Sequence, residues 1–201
     1  MKPPIKLVIL DFHGVISTGS YWDIAREISR RNHLKVAEVY NVIYSYHNQA
    51  AVGEIPERQV FSRTVKQLGI PDNPRELADR HIILTSIPNQ SVLKYAVSLR
   101  RRGIGVIGLS KNIPFVHREN VRRSRALKYV DAVINTYDLG LPKASKETIT
   151  TVLKQFGIKD PKSVILVDDQ ADNLATAGKM GIQTHLYKNF KEMRRLIARW
   201  C

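Results

Sequence analysis

Ile5-Lys6-Leu7-Val8-Ile9-Leu10, broken at once by Asp11-Phe12-His13-Gly14, is the stretch on which the fold turns. It is short, rich in branched residues and without polar alternation, which is the pattern of a parallel strand buried on both faces. Further strands are expected over Ile104 to Leu109, closing at Ser110, then at Ala132-Val133-Ile134, Ser163 to Val167, and Thr184 to Tyr187. Helical periods alternate with them: Ser91 to Arg102, a basic stretch ending near Tyr129, Lys146 to Phe156, Asn173 to Met180, and a terminal amphipathic helix with Phe190, Met193, Leu196, Ile197 and Trp200. Strand and helix in alternation predict an α/β fold, a doubly wound parallel sheet of Rossmann-like type with right-handed crossovers.

One long segment departs from this rhythm. From residue 17 to residue 88 every period is helical, with Trp22, Ala25 and Ile28, then Val36, Val39, Tyr40 and Ile43, then Phe61, Val65 and Leu68. Breaks at Gly53, Pro56, Gly69, Pro71 and Pro74 suit short turns between packed helices. The expected organisation is an α/β core of residues 1–16 and 89–201, with an α-helical insertion over 17–88.

The 201 residues are 43% hydrophobic and 25% charged, which excludes collagenous, low-complexity and disordered chains and allows about 70% of the unfolded surface to be buried. No apolar run approaches the ~20 residues of a membrane span, so no membrane is expected as a partner. The opening Met1-Lys2-Pro3-Pro4 has no signal-peptide hydrophobic region, and a cytoplasmic location is expected. Cys201 is the single cysteine, so any metal must be held by oxygen or histidine. The outlier is charge, with 32 Lys and Arg against 18 Asp and Glu, a net +14. That favours anionic partners: nucleic acid, acidic membrane surfaces or phosphorylated metabolites.

In open α/β sheets ligands bind beyond the carboxyl ends of the strands. There the sequence places Asp11, Ser110, Lys143 in the loop after the third strand, and Asp168-Asp169. Three converging carboxylates repel one another unless a hard cation and a lysine neutralise them, and a small oxygen-ligand set suits Mg²⁺. Asp11 is then a candidate nucleophile toward an anionic substrate.

Four segments in this order resemble the haloacid dehalogenase superfamily: Asp11-Phe12-His13-Gly14-Val15, Gly108-Leu109-Ser110, Leu139-Gly140-Leu141-Pro142-Lys143, and Val167-Asp168-Asp169-Gln170-Ala171-Asp172-Asn173. The helical insertion resembles the cap of members that act on small molecules. The resemblance implies a Mg²⁺-dependent phosphatase in which Asp11 attacks phosphorus and forms an aspartyl-phosphate. It implies that Asp11, Asp169 and the backbone carbonyl of His13 hold Mg²⁺, with Asp168 as a further or supporting ligand. Ser110, Lys111 and Lys143 would take the phosphoryl oxygens, and Asn173 would orient Lys143 or the metal ligands.

Two positions depart from the family pattern. His13 stands where a phosphatase has a second Asp as general acid, so the imidazole either replaces that acid or marks weakened catalysis in a binding or regulatory protein. Ala144 stands where Pro commonly follows the Lys. The acidic pair Asp168-Asp169 favours phosphate over halide, since dehalogenating members lack it. His33, His47, His81, His117 and His185 are read as structural or exposed, and which of Tyr21, Trp22, Tyr44, Tyr46 and His47 face the pocket depends on packing.

The basic residues concentrate between Lys94 and Lys128, with Glu119 the only acid among them. This stretch brackets Ser110, where it would draw anionic substrates toward the pocket or touch phosphate backbones. With aromatics at only 7%, nucleic-acid contact is expected to be weak and non-specific, and a nucleic-acid-associated phosphatase is the alternative reading.

Overall fold

A computed structural model describes residues 3–200; the first two residues and Cys201 lie outside the described residues. Five parallel strands, β1 (Leu7–Asp11), β2 (Gly105–Ser110), β3 (Ala132–Asn135), β4 (Val164–Asp168) and β5 (Gln183–Leu186), form one sheet in the order β3-β2-β1-β4-β5. All five residues of β1 are buried, as the absence of polar alternation requires. Each fully buried branched side chain there contributes about 1.5–3 kcal/mol.

Helices cover both faces. On one side α5 (Gln90–Arg100) and α10 (Phe190–Ala198) bury Val92, Leu93, Met193 and Ile197 against Val8 and Leu10. On the other, α8 (Lys146–Gln155) and α9 (Ala171–Lys179) bury Ile149, Val152, Leu174 and Ala177 against Leu7 and Ile9. The remaining core helices are α6 (Pro114–Ser124), within the basic helical stretch expected to end near Tyr129, and α7 (Thr136–Leu139), a single turn that the sequence pattern did not indicate.

Between β1 and α5 lie α1 (Tyr21–Asn32), α2 (Val36–Ala51), α3 (Gln59–Leu68) and α4 (Pro74–Thr85). Helix α1 starts at a capping box: Ser20 Oγ accepts from Trp22 N at 3.2 Å, and Asp23 accepts from Ser20 N at 2.8 Å. Asn73 caps α4 ahead of Pro74. The four helices pack Ile24, Ile28, Val39, Ile43, Val60, Phe61 and Leu77 together, and α6 adds Ile113 and Val116 to the same cluster. The insertion is therefore not closed on itself: its apolar interior is completed by a core helix. The chain leaves and rejoins the core at one place, where Ser17 bridges Pro88 and donates to Thr85 O at 2.6 Å.

Candidate active site

Because β1 sits between β2 and β4, its last residue, Asp11, lies between Ser110 and Asp168 at the carboxyl edge. Lys143, nearly as buried as Asp11, reaches in from the loop after α7. Its Nζ donates to Asp11 Oδ1 and, at 2.8 Å, to Asp168 Oδ2. Asp168 is fully buried, and its remaining capacity is taken by Gln170 N at 2.9 Å and by Asn173 Nδ2 at 3.0 and 3.1 Å. The expected orienting residue, Asn173, thus acts on Asp168, and Asp168 in turn fixes Lys143.

Asp169, the next residue, is exposed. Asp11, Asp168 and Asp169 each offer an oxygen within 4.8 Å of the others. Burial raises the Asp11 carboxyl above its ordinary value; Lys143 opposes this, but Asp168 and Asp169 reinforce it. Burial and Asp168 likewise raise Asp169. Burial alone would lower Lys143, yet Asp11 and Asp168 outweigh it and raise the ammonium, which therefore stays charged. One cation facing three crowded carboxylates leaves a surplus of negative charge, which adds to the effect of burial on the two raised acids. Gly14 makes the cluster sterically feasible: its φ is +85°, and a Cβ there would run into the Asp169 carboxylate.

Ser110 Oγ is buried and has no hydrogen-bond partner within the protein, an orphan that a ligand oxygen would satisfy. Lys111 leans the other way, donating to Asn48 Oδ1 of α2 at 2.8 Å and lying 5.6 Å from the Tyr44 ring centre. His13 is half-buried, edge-on to the Phe12 ring, with Asn120 Nδ2 of α6 donating to its Nε2 at 2.8 Å. Burial, helped by His81, Lys143 and His117, lowers its pKa to about 3. The imidazole is thus neutral, with Nε2 accepting a hydrogen bond from the Asn120 amide, which bears on the two roles that the sequence leaves open for this side chain.

A cavity of about 360 Å³ opens over these residues, lined by Asp11, His13, Lys111, Lys143, Asp169 and Asn173 from the core. The insertion supplies the facing wall. Trp22 stacks on Tyr40 at 3.8 Å, Tyr40 on Tyr44 at 5.3 Å, and Tyr44 on His47 at 5.8 Å, all within 18° of parallel. Of the aromatics singled out in sequence, Tyr21, Trp22, Tyr44 and His47 line the cavity and Tyr46 does not. Tyr40, in sequence only a member of the helical period, lines the cavity as well, on the same face of α2 as Tyr44 and His47. Asn120 and Asn48 carried no sequence signal. His47 and His81 are buried: His47 Nδ1 lies 2.6 Å from Tyr21 Oη, and His81 packs on Tyr21 at 4.2 Å.

Residues 5–181 match haloacid dehalogenase-like hydrolases, and the chain belongs to that family. It is a hydrolase built on the family's α/β core. No curated protein matches it in sequence. Among solved structures, a haloacid dehalogenase family enzyme of Bacteroides thetaiotaomicron is similar over 97% of this chain and 99% of its own, with 18% identity and a TM-score of 0.76. A hydrolase of Porphyromonas gingivalis, described as predicted and haloacid dehalogenase-like, covers 97% and 98% at 18% identity and a TM-score of 0.73. The L-2-haloacid dehalogenase of Xanthobacter autotrophicus covers 96% and 83% at 17% identity and a TM-score of 0.66. Among the described residues, no helix is long and apolar enough to cross a membrane.

Proposed function

We propose that the protein is a Mg²⁺-dependent phosphatase that hydrolyses a small phosphorylated metabolite through an aspartyl-phosphate on Asp11. The observation that carries this is the crowding of Asp11, Asp168 and Asp169 around a single lysine, a charge balance that calls for a cation. The Bacteroides enzyme has been solved with magnesium and inorganic phosphate, which supports the reading; the Xanthobacter enzyme, with chloropropionic acid covalently bound, marks the rival chemistry on the same fold.

Asp11, Asp169 and the His13 carbonyl would hold the ion, whose charge would offset that of the carboxylates and of the transferring phosphoryl group. Asp168, committed to Lys143 and Asn173, serves in this reading as a support rather than a ligand. An Asp11 oxygen attacks phosphorus as the ester P–O bond breaks, and the leaving oxygen takes a proton from water and departs as the alcohol. Lys143 stabilises the charge that develops on the phosphoryl oxygens, and Ser110 Oγ donates to one of them. Water then cleaves the acyl phosphate and regenerates Asp11. The insertion over 17–88 acts as the cap, with Trp22, Tyr40 and Tyr44 against the leaving group.

The neutral, amide-bound His13 favours a second reading, a family member with weakened catalysis that binds its ligand more than it turns it over. A phosphomonoester panel and a 2-haloacid panel, each with and without Mg²⁺, distinguish these. Mg²⁺-dependent phosphate release that Asp11→Asn abolishes is expected. Metal-independent halide release, or phosphate release retained in Asp11→Asn, overturns the proposal.

A further inference from the structure

A second cavity, of about 590 Å³, adjoins the one over Asp11 and shares Lys111, Lys143 and Asn173 with it. Its walls include Ala51 and Val52 at the end of α2, and Tyr137 and Leu141 in and after α7. The α7 loop follows β3, which lies across β2 and β1 from β4 and its acidic pair. Asp11 and Asp169 line the first cavity, whereas among the described residues no carboxylate lines the second.

The polar side chains where the two cavities meet are engaged. Lys143 Nζ serves Asp11 and Asp168, Asn173 Nδ2 serves Asp168, and Lys111 Nζ donates to Asn48 Oδ1 at 2.8 Å. Asn112 Oδ1, on the wall of the second cavity, accepts from Ile113 N at 2.9 Å. What this cavity offers a ligand is therefore mainly apolar. The apolar surface continues outward, with Val52 71% exposed and Tyr137 37% exposed. Such side chains, left in water beside a concave apolar wall, are surface that a ligand would cover.

We infer that the second cavity takes the distal part of the substrate's alcohol, and that this part is uncharged and apolar; the inference rests on the phosphatase reading above. With the phosphoryl group beside Asp11 and Ser110, an alcohol that passes the Tyr44 ring meets Lys111, which borders both cavities, and continues toward Val52 and Tyr137. Lys111 forms the threshold: its ammonium is bonded to Asn48 and lies 5.6 Å from the Tyr44 ring centre, and its aliphatic stem is what an apolar chain would cross. At about 590 Å³ the space is within the ~300–1,000 Å³ of sites that enclose a drug-sized molecule. A substrate with no distal part would leave it to water.

The test compares the affinities of ethylphosphonate and octylphosphonate, which cannot be hydrolysed, by calorimetry in the presence of Mg²⁺. Each buried methylene is worth about fourfold in affinity, so octylphosphonate should bind at least ~100-fold more tightly. Ala51→Trp, which fills the cavity, and Val52→Ser with Tyr137→Ser, which strips its outer wall, should each lower that ratio about tenfold and leave ethylphosphonate binding unchanged. Thermal unfolding verifies the fold of each variant. Equal affinity for the two phosphonates, or a ratio that falls in neither variant, overturns the inference. Its fate is separable from that of the phosphatase reading: Mg²⁺-dependent phosphate release from methyl phosphate with equal phosphonate affinities refutes the apolar site and keeps the reading. A large affinity ratio that the variants lower, with no phosphate release from any ester, keeps the apolar site and refutes the reading.

Discussion

Lys143 Nζ lies 2.8 Å from Asp168 Oδ2 while also donating to Asp11, so one buried ammonium holds two buried carboxylates. Removing it strands both charges. Lys143→Met should cost about 3–5 kcal/mol of stability as well as turnover. Lys143→Met with Asp168→Asn should recover part of the stability and none of the activity. Chemical denaturation and phosphate release on the four proteins of the cycle decide it; equal stability of the native protein and Lys143→Met contradicts the arrangement.

Gly14 and Gly53 both have φ near +80°, but only Gly14 has an obstacle where a Cβ would stand. Alanine at either position should cost about 1–2 kcal/mol for the left-handed backbone. Gly14→Ala should lose more, and should also lose Mg²⁺-dependent turnover because Asp169 must move. Matching losses in melting temperature for the two variants would remove the argument that Gly14 makes room for the carboxylate.

His13 is neutral and accepts from Asn120, so its side chain should not set the rate of leaving-group protonation. His13→Asn is then expected to lower turnover on alkyl and aryl phosphates by the same factor. A loss confined to the alkyl esters, which need a proton, identifies the imidazole as the acid after all.

His47 and His81 are buried, and desolvation lowers each pKa to about 3 from an unfolded value of 6.5. Between those values the unfolded chain binds more protons than the native one, so stability rises with pH across this window and is lost as pH falls from about 6.5 toward 3. Each histidine contributes a slope of about 1.4 kcal/mol per pH unit. His81→Phe, placed among Tyr21 and Phe61, should flatten the dependence of urea midpoint on pH. An unchanged slope would show that His81 does not titrate on unfolding.

The parts of this site that could be read in the sequence were those fixed by topology. Parallel strands deliver their last residues to one edge, so Asp11, Ser110 and the acidic pair could be placed before any contact was known. Within the pair, the resemblance alone separated the two roles; the residues did not, because burial decides that Asp168 serves Lys143 while Asp169 is exposed. The period that includes Tyr40 could not show its place at the pocket, because a helix facing a cavity and a helix facing a core show the same period. Asn120 was silent: an isolated Asn on a basic helix acquires its meaning from Thr85, Ser86 and His13, which reach it from other parts of the chain.

The central place of β1 has a consequence for synthesis. Leu7 pairs with Gly105 on one side and with Val164 on the other, so β1 waits for β4 before both its sides are paired. At ~5–20 residues per second, roughly 8–30 s separate the emergence of β1 from that of β4. Meanwhile the four helices that follow β1, whose contacts are mostly local, are free to form ahead of the sheet. The apolar run that decides the fold is thus the segment that a nascent chain exposes longest, and the one a ribosome-bound chaperone would find first.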